Sequence, residues 1–520
     1  MQRPKTESSP HISVWTATTA MAAFPALARD LQADVCVVGA GIAGLTTAYL
    51  LRRAGQSVIV LDDGTIGGGA TGQTTAHLSN AMDRGYGEIE RLHGEQGSRL
   101  AAESHTAAIN EIETIVMRER LDCDFERLDG YLSLAPDKKE EALDQELAAA
   151  RRAGLSEVRK MARAPLLSFN TGPCLRFPNQ AQFHPLKYLS GLAKAIRRDG
   201  GRIFTGTHVD QIDGGPPAQV KARGHVVSAS AVVVATNTPV NDLLAIHTKQ
   251  APYMSYVIAA RIPTGSVTKA LYWDTEAPCH YVRLQPMEDP AGAYDLLIVG
   301  GEDHKTGQAH DTQTRLEDLQ DWTRDRFPMA GEIEFSWSGQ VMETIDGLAF
   351  IGRNPMDKDN VYIATGDCGM GMTHGTIAGL LLTDLMVGRE NPWSTLYDPG
   401  RKSVRAAGTF FKEAANVAAQ YADWLTHADV MSVEAIAPGH GAVMRDGLVK
   451  LAIYRDEAGR LHERSATCPH LGCVVGWNLT EKTWDCPCHG SRFDALGKVL
   501  SGPANQDLAP SAHVVSDHKA

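Results

Sequence analysis

The 520-residue sequence has no excess of positive charge: 50 Lys and Arg stand against 62 Asp and Glu, a net of −12. Proteins that bind nucleic acid carry a basic footprint, so a polyanion partner is excluded as the default. A long apolar run is missing too. The best stretch, Thr376 to Gly388, contains Asp384 and stops at 13 residues, whereas a bilayer-spanning helix needs about 20. Cysteine is too sparse for a disulfide scaffold, nine in the whole chain,. What is present is ordinary globular material, 43% hydrophobic and 22% charged, which excludes wholesale disorder. At roughly 150 residues per domain the length predicts three or four units, or two with one of them large.

The N-terminus gives weak signals. Trp15 to Ala28 is mildly apolar and ends in Ala26-Leu27-Ala28, which resembles a cleavage site. Glu7 precedes it, Thr16, Thr18 and Thr19 interrupt it, and no twin arginine is present,. The expectation is an irregular arm over 1–32 and a cytoplasmic protein.

Ala33 to Asp62 carries the first strong pattern. Val35-Cys36-Val37-Val38 reads as a strand buried on both faces,. Gly39, Gly41 and Gly44 follow in the spacing G-x-G-x-x-G, then a helical period stopped by Gly55, then a second strand, Val58 to Leu61, closed by Asp62,. The three glycines serve a tight turn, backbone approach to a pyrophosphate and close helix–strand packing. The helix start favours negative charge, and an acid at Asp62 can accept from a ribose hydroxyl. This is a dinucleotide-binding unit. Only one such motif opens a helix after a strand, so a second nucleotide fold for NAD(P)H is not expected.

With the small-residue run Gly67 to His77, the chain resembles the FAD-dependent oxidoreductases of the D-amino-acid-oxidase superfamily. The resemblance implies that Thr71 and Thr75 lie beside the flavin and that the Val209 backbone meets the adenine. It also implies that Val232 to Asn237 returns to the cofactor. Val361 to Asp367, Gly369 and a helix from about Gly375 form a second strand–Gly loop–helix along the flavin, with Gly366, Asp367, Gly371, Met372 and Thr373 as contacts. Relatives with histidine-linked flavin carry that histidine near the place of Gln73, so FAD is expected to be non-covalent.

The cysteines divide. Cys36, Cys123, Cys174, Cys279 and Cys368 are scattered like small buried hydrophobes, while Cys468, Cys473, Cys486 and Cys488 crowd together. The crowd reads Cys468-Pro469-His470, fifteen residues, then Cys486-Pro487-Cys488-His489, inside a region of short β-like runs,. This C-x-H…C-x-x-H pattern resembles a Rieske [2Fe–2S] domain. By that resemblance Cys468 and Cys486 ligate one iron, His470 and His489 the other, Cys473 pairs with Cys488 in a disulfide, and Gly502-Pro503-Ala504 covers the cluster. A Cys2His2 zinc site uses the same ligand types. The extra cysteine in each box and Gly490-Ser491 favour the cluster.

The expected architecture is an α/β Rossmann-type FAD-binding domain with an inserted α+β substrate domain over 33–400. A connecting helix over 401–429 follows, then a small all-β Rieske domain over 430–520. Residues 80–350 say least. Tyr281 and Arg283 are candidates for substrate contact, since an Arg could clamp a carboxylate, and His304 and His374 for proton handling. A packed Tyr, a solvated Arg and structural histidines are equally consistent.

Three functions compete. An FAD dehydrogenase could oxidise a small amine or amino acid and pass electrons through the cluster to an external acceptor. A Rieske oxygenase would need a two-His-one-carboxylate iron, for which only His304/His310 and His513/His518 have any suitable spacing, without the expected Asp. A non-catalytic redox sensor or electron carrier is the third.

Overall fold

A computed structural model describes residues 12–241, 246–309, 311–421, 428–447 and 449–511. Its first sheet is eight-stranded, in the order Phe350–Arg353, Val361–Thr365, His225–Val234, Leu31–Val38, Val58–Leu61 and Arg202–Phe204, with Val209–Asp213 and Ala218–Ala222 attached at one side. Its central neighbours are parallel. Val37 and Val60 enter one core, while Cys36, Val38, Ile59 and Leu61 enter another on the opposite face. Burial on both sides explains why these strands are continuously apolar rather than alternating.

Helices Ile42–Arg53 and Gly371–Met386 pack closely across this sheet. A Cβ on Gly375 would meet the Ala43 backbone nitrogen at 3.1 Å, and one on Gly379 the Thr46 carbonyl carbon at 3.1 Å. Small residues thus set two helix N-termini side by side at one edge of the sheet. The second helix starts at Gly371 rather than near Gly375, so Gly371, Met372 and Thr373 form its first turn.

The inserted unit is a nine-stranded, mostly antiparallel sheet: Ile333–Thr344, Gln250–Ile262, Gly292–Lys305, His280–Asp289, Leu271–Asp274, Glu126–Ser133, Cys174–Gln182 and His77–Leu78, with Arg159–Met161 beside it. Helix Ala407–Gln420 follows, with no fully buried residue. It is tied down by the Lys305–Glu413 ion pair and by Gln308–Asn416 hydrogen bonds. The C-terminal unit has a three-stranded sheet (Gly441–Asp446, Val449–Arg455, Leu461–Ser465) and a four-stranded one (Gly476–Asn478, Thr483–Asp485, Arg492–Asp494, Val499–Ser501).

The arm is not irregular throughout. Val14–Thr18 is a short helix capped by Ser13. Trp15 is fully buried and donates through Nε1 to the Thr74 carbonyl (2.6 Å), and the Ser13 hydroxyl donates to the Gly72 carbonyl (2.6 Å). The arm is therefore part of the wall of the small-residue loop. No helix among the described residues is long and apolar enough to cross a membrane.

Candidate functional site

The glycine cradle has the shape the spacing demands. Gly39 sits at φ +105°, and a Cβ on Gly44 would overlap the Gly39 carbonyl oxygen. A Cβ on Gly41 would meet only Thr71 Oγ1, at 3.1 Å, so that side stays open for a ligand. Thr71 Oγ1 accepts from the Ile42 N–H (3.0 Å). Asp62 accepts from the Ala40 N–H (2.6 Å) and the Gly64 N–H (2.9 Å). Burial pushes the Asp62 carboxyl up to about 6, against those two N–H donors. A carboxylate has about four acceptor positions, so capacity for a ribose hydroxyl remains.

Two other residues of this expected set have protein partners. Thr75 Oγ1 lies 3.0 Å from His77 Nδ1. The Val209 carbonyl accepts from Asn505 Nδ2 (2.9 Å), so the C-terminal unit reaches the strand expected to meet adenine. Across the sheet, Gly366 is at φ +75° and Asp367 Oδ1 accepts from the Met342 N–H (2.8 Å). Thr373 Oγ1 donates to the Met370 carbonyl and touches His105 Nδ1 (2.9 Å). The helix start at Gly371–Met372 has no side-chain cap, leaving its N–H groups free to face a ligand,.

In the C-terminal unit, Cys468 and Cys486 are buried free thiols, and the rings of His470 and His489 lie 5.0 Å apart, edge to face. The Cys486 thiol, the N–H groups of His470 and Leu471 and the Ser491 hydroxyl lower the Cys468 thiol. Donors aimed at sulfur are what thiolate ligands need. Cys473 and Cys488 form the disulfide that the resemblance implied, with Cα atoms 6.4 Å apart. Two thiols and two imidazoles converging among backbone donors fit a [2Fe–2S] group.

The histidine edge of this pocket is turned into the protein. The His247 ring lies 5.0 Å from the His470 ring and 6.2 Å from the His489 ring. From the same segment, Gln250 Oε1 accepts from Thr365 Oγ1 (3.2 Å), next to Gly366. Gln340 Nε2 donates to the Gly490 carbonyl (2.8 Å), and Gln308 Nε2 to the Pro487 carbonyl (3.0 Å). A Cβ on Gly490, which sits at φ +81°, would strike Pro252. A cavity of about 180 Å³ remains beside His489, walled by His247, Pro252, Phe410 and Val417. No motif announced His247, Gln250 or Gln340; each precedes or sits in a strand of the inserted sheet.

A third polar region was also missed. Asp83, on the turn after His77–Leu78, is crowded by protein yet keeps an open face, as do Gly369 and, in part, Cys279, Tyr281 and Asp367. Asp83 Oδ2 lies against Gly369, and Cys279 and Tyr281 both feel the charges of Asp83 and Asp303. Burial and then the charges of Glu343 and Asp303 push Asp83 up to about 7. Burial pushes Asp367 up to about 7 and Asp303 up to about 6. The Ser255 hydroxyl and Tyr281 hydroxyl are hydrogen-bonded to each other beside Asp303.

Of the predicted reactive residues, only Tyr281 belongs to this polar group. Arg283 does not act as an exposed clamp: it is fully buried, donates to the Thr75, Ala76 and Phe183 carbonyls and to Gln285, and lies over the Trp15 ring. His374 sits behind the Gly366 loop, with Nδ1 at the Asp367 carbonyl (2.9 Å) and Nε2 at His105 Nε2 (3.2 Å). Burial lowers it to about 4. His304 stacks on Tyr256, and burial lowers it to about 4 as well. His310, His513 and His518 lie outside the described residues.

Comparison with known proteins fits this geometry. Residues 34–385 match the family described as FAD dependent oxidoreductase, and residues 426–512 match the Rieske [2Fe-2S] domain. The chain is 32% identical over 497 residues to the putative Rieske 2Fe-2S iron-sulfur protein YhfW of Bacillus subtilis, covering 95% of this chain and 96% of that one. It is 28% identical over 395 residues to gamma-glutamylputrescine oxidoreductase of Escherichia coli, covering 73% and 89%. Glycine oxidase from Geobacillus kaustophilus shares the fold of 72% of this chain and 99% of its own, at a TM-score of 0.59 and 18% identity. The chain belongs to the FAD dependent oxidoreductases, enzymes that bind FAD, and carries a Rieske [2Fe-2S] domain with its cluster at the C-terminal end.

Proposed function

We propose that this enzyme is a dehydrogenase that oxidises a small amine or amino-acid-like substrate and sends the electrons through its own Rieske domain to an external acceptor. Bound FAD supplies the two-electron step, taking a hydride from the substrate carbon as nitrogen loses a proton, and the bound cluster carries electrons singly. Gly39, Gly41, Gly44 and Asp62 would hold the ADP half of FAD, with Thr71, Thr75 and Val209 beside it. Gly366, Asp367, Gly371, Met372 and Thr373 would hold the flavin half. Cys468 and Cys486 would ligate one iron, His470 and His489 the other.

The observation that carries this reading is the joint between the two units. His247 packs against both ligand histidines, and Gln250, in the same segment, accepts from Thr365 at the head of the Gly366 loop. One short piece of chain links the flavin-side loop to the His470 and His489 edge. Gln340 donates to the Gly490 carbonyl and Pro252 packs against Gly490, which supports a direct contact between the two units. The Escherichia coli relative's name supports an amine as substrate.

Screening amines and amino acids for anaerobic bleaching of the flavin tests the oxidation. Cys486→Ser tests the route: flavin bleaching should persist while turnover with one-electron acceptors collapses. Unchanged turnover with those acceptors would place the cluster off the path. The FAD is expected to leave with the supernatant on acid precipitation, and Gly41→Trp to abolish its binding by filling the pyrophosphate approach.

A further inference from the structure

Five successive backbone carbonyls of the small-residue loop, Gly72 to Ala76, are each taken by a side chain from a remote segment. The Ser13 hydroxyl donates to the Gly72 carbonyl (2.6 Å), Trp337 Nε1 to that of Gln73 (2.8 Å) and Trp15 Nε1 to that of Thr74 (2.6 Å). Arg283 Nη1 donates to the carbonyls of both Thr75 and Ala76, at 3.2 Å each. A loop has no ladder to satisfy its carbonyls, so here donors outside the loop set the orientation of each peptide.

Two of these donors sit on the arm ahead of the first strand. Ser13 caps the helix Val14–Thr18, which carries Trp15. His184 anchors that helix: its ring meets the Trp15 ring edge-on at 4.9 Å, and Nε2 lies 3.0 Å from Thr18 Oγ1 and 3.1 Å from Thr19 Oγ1. Trp15 also covers Arg283, with the guanidinium carbon 5.1 Å from the ring centre. Arg283 is a fully buried cation: burial lowers it to about 9, which leaves it charged at neutral pH. It donates further to the Phe183 carbonyl and to Gln285 Oε1, and Gln285 Nε2 donates in turn to Asp124. Arg283 Nε is sealed from solvent without an acceptor. Neutral carbonyls, an amide and an aromatic face therefore surround this charge.

We propose that Ser13 and Trp15 are positioning residues of the flavin site: the arm locks the loop carbonyls onto protein donors and keeps water off Arg283, so the loop meets the flavin rigid and with a positive charge behind it. This rests on the reading that Thr71 and Thr75 lie beside the flavin. The indole of Trp15 has two separable effects. Its N–H orients a loop carbonyl, which sets how tightly the loop holds FAD. Its ring excludes water from a cation, and a positive charge in a dry setting favours the electron-rich reduced flavin and raises its potential.

The test uses variants of the full-length protein loaded with FAD and cluster. Trp15→Phe keeps the ring and loses the N–H. FAD should leave it about tenfold faster, followed as recovered flavin fluorescence on dilution, with the flavin potential unchanged. Ser13→Ala should speed release in the same direction. Trp15→Leu loses ring and N–H together, and a dye-coupled titration should find its flavin potential lowered as well. Arg283→Met should reproduce that lowering with the arm intact. A merely structural role would lower the melting temperature and leave the potential where it was. Wild-type FAD release in both Trp15→Phe and Ser13→Ala would overturn the proposal, and so would a wild-type potential in Trp15→Leu. Thr71→Val separates the proposal from the reading beneath it. If Thr71→Val alone speeds FAD release, the loop lies beside the flavin and the role of the arm falls. If no variant alters release or potential, the place of the loop beside the flavin falls with it.

Discussion

Two sets of carboxyls, Asp346 on one hand and Asp83, Asp303 and Asp367 on the other, are treated oppositely by the fold. Asp346 is completely buried and has its cation: Arg401 forms a two-pronged pair at 2.7 and 2.8 Å, and the Ser403 hydroxyl adds a third donor. Against burial, Arg401 holds the Asp346 carboxyl well below the usual carboxylate range. Asp83, Asp303 and Asp367 have no such cation and are pushed up to about 7, 6 and 7. Asp346 is the most deeply buried of the four and Asp83 keeps an exposed face, yet Asp346 alone is lowered, so the difference is the counter-charge rather than the burial,. A structural carboxylate such as Asp346 comes with its partner built in.

The sharpest way to break that contrast is to turn Asp346 into a carboxylate without a cation. Arg401→Met should destabilise the protein by about 3–5 kcal/mol, because an uncompensated charge is left in the interior. Asp346 has a lowered native pKa, so its contribution is present above the ordinary carboxylate range and lost as pH falls through the native value. Denaturant melts at pH 7 check the loss, and a change below 1 kcal/mol would remove the contrast. The converse change is Asp303→Asn. Asp303 has a raised native pKa, so below the ordinary carboxylate value it costs nothing, and the native state loses stability as pH rises through about 6,. Asn should therefore be close to neutral at about pH 3.5 and stabilising at pH 8 by on the order of 1–3 kcal/mol. Thermal melts at the two values test it, and an identical gap at both would refute the pH link.

The smallest expected effect extends the contrast to sulfur. Ser491 donates to the Cys468 thiol and accepts from the Ala504 N–H (3.0 Å), so it is fixed in place. Phe493, fully buried two residues on, has no donor to offer. A hydrogen bond to a cluster sulfur favours the more negative reduced state. At about 1–1.5 kcal/mol this amounts to roughly 40–60 mV for one electron. Ser491→Ala should lower the cluster potential by about that much, and Phe493→Tyr should raise it. A redox titration of the three proteins shows whether the shifts have these signs.

How much of this could be read from sequence depended on distance along the chain. The cluster box lies between Cys468 and His489, and its geometry comes from turns that the same residues encode. The glycine cradle is equally local: Gly39, Gly41, Gly44 and Asp62 span one strand, one helix and one strand. The polar group around Asp303 is not local. Ser255, Tyr281, Asp303 and Glu343 each sit in a stretch with no pattern of its own, strand pairing brings these four together, and Asp83 joins them from a turn. Arg283 shows how near a correct guess can fall. It shares a strand face with Tyr281, but one step of about 7 Å along carries it under the Thr75–Ala76 turn and Trp15. The arm that covers it was read as irregular because its helix is only five residues long, below any length at which periodicity is visible.

The bond from Asn505 to the Val209 carbonyl spans 296 residues of chain. Synthesis at roughly 5–20 residues per second separates the emergence of the two partners by on the order of 15–60 s. The nucleotide fold is complete in sequence only once Gly371–Met386 has emerged, and from then until Asn505 follows the Val209 carbonyl is left to water or ligand. The Asn505 segment is thus a late latch, closing only after the whole nucleotide-binding unit has left the ribosome.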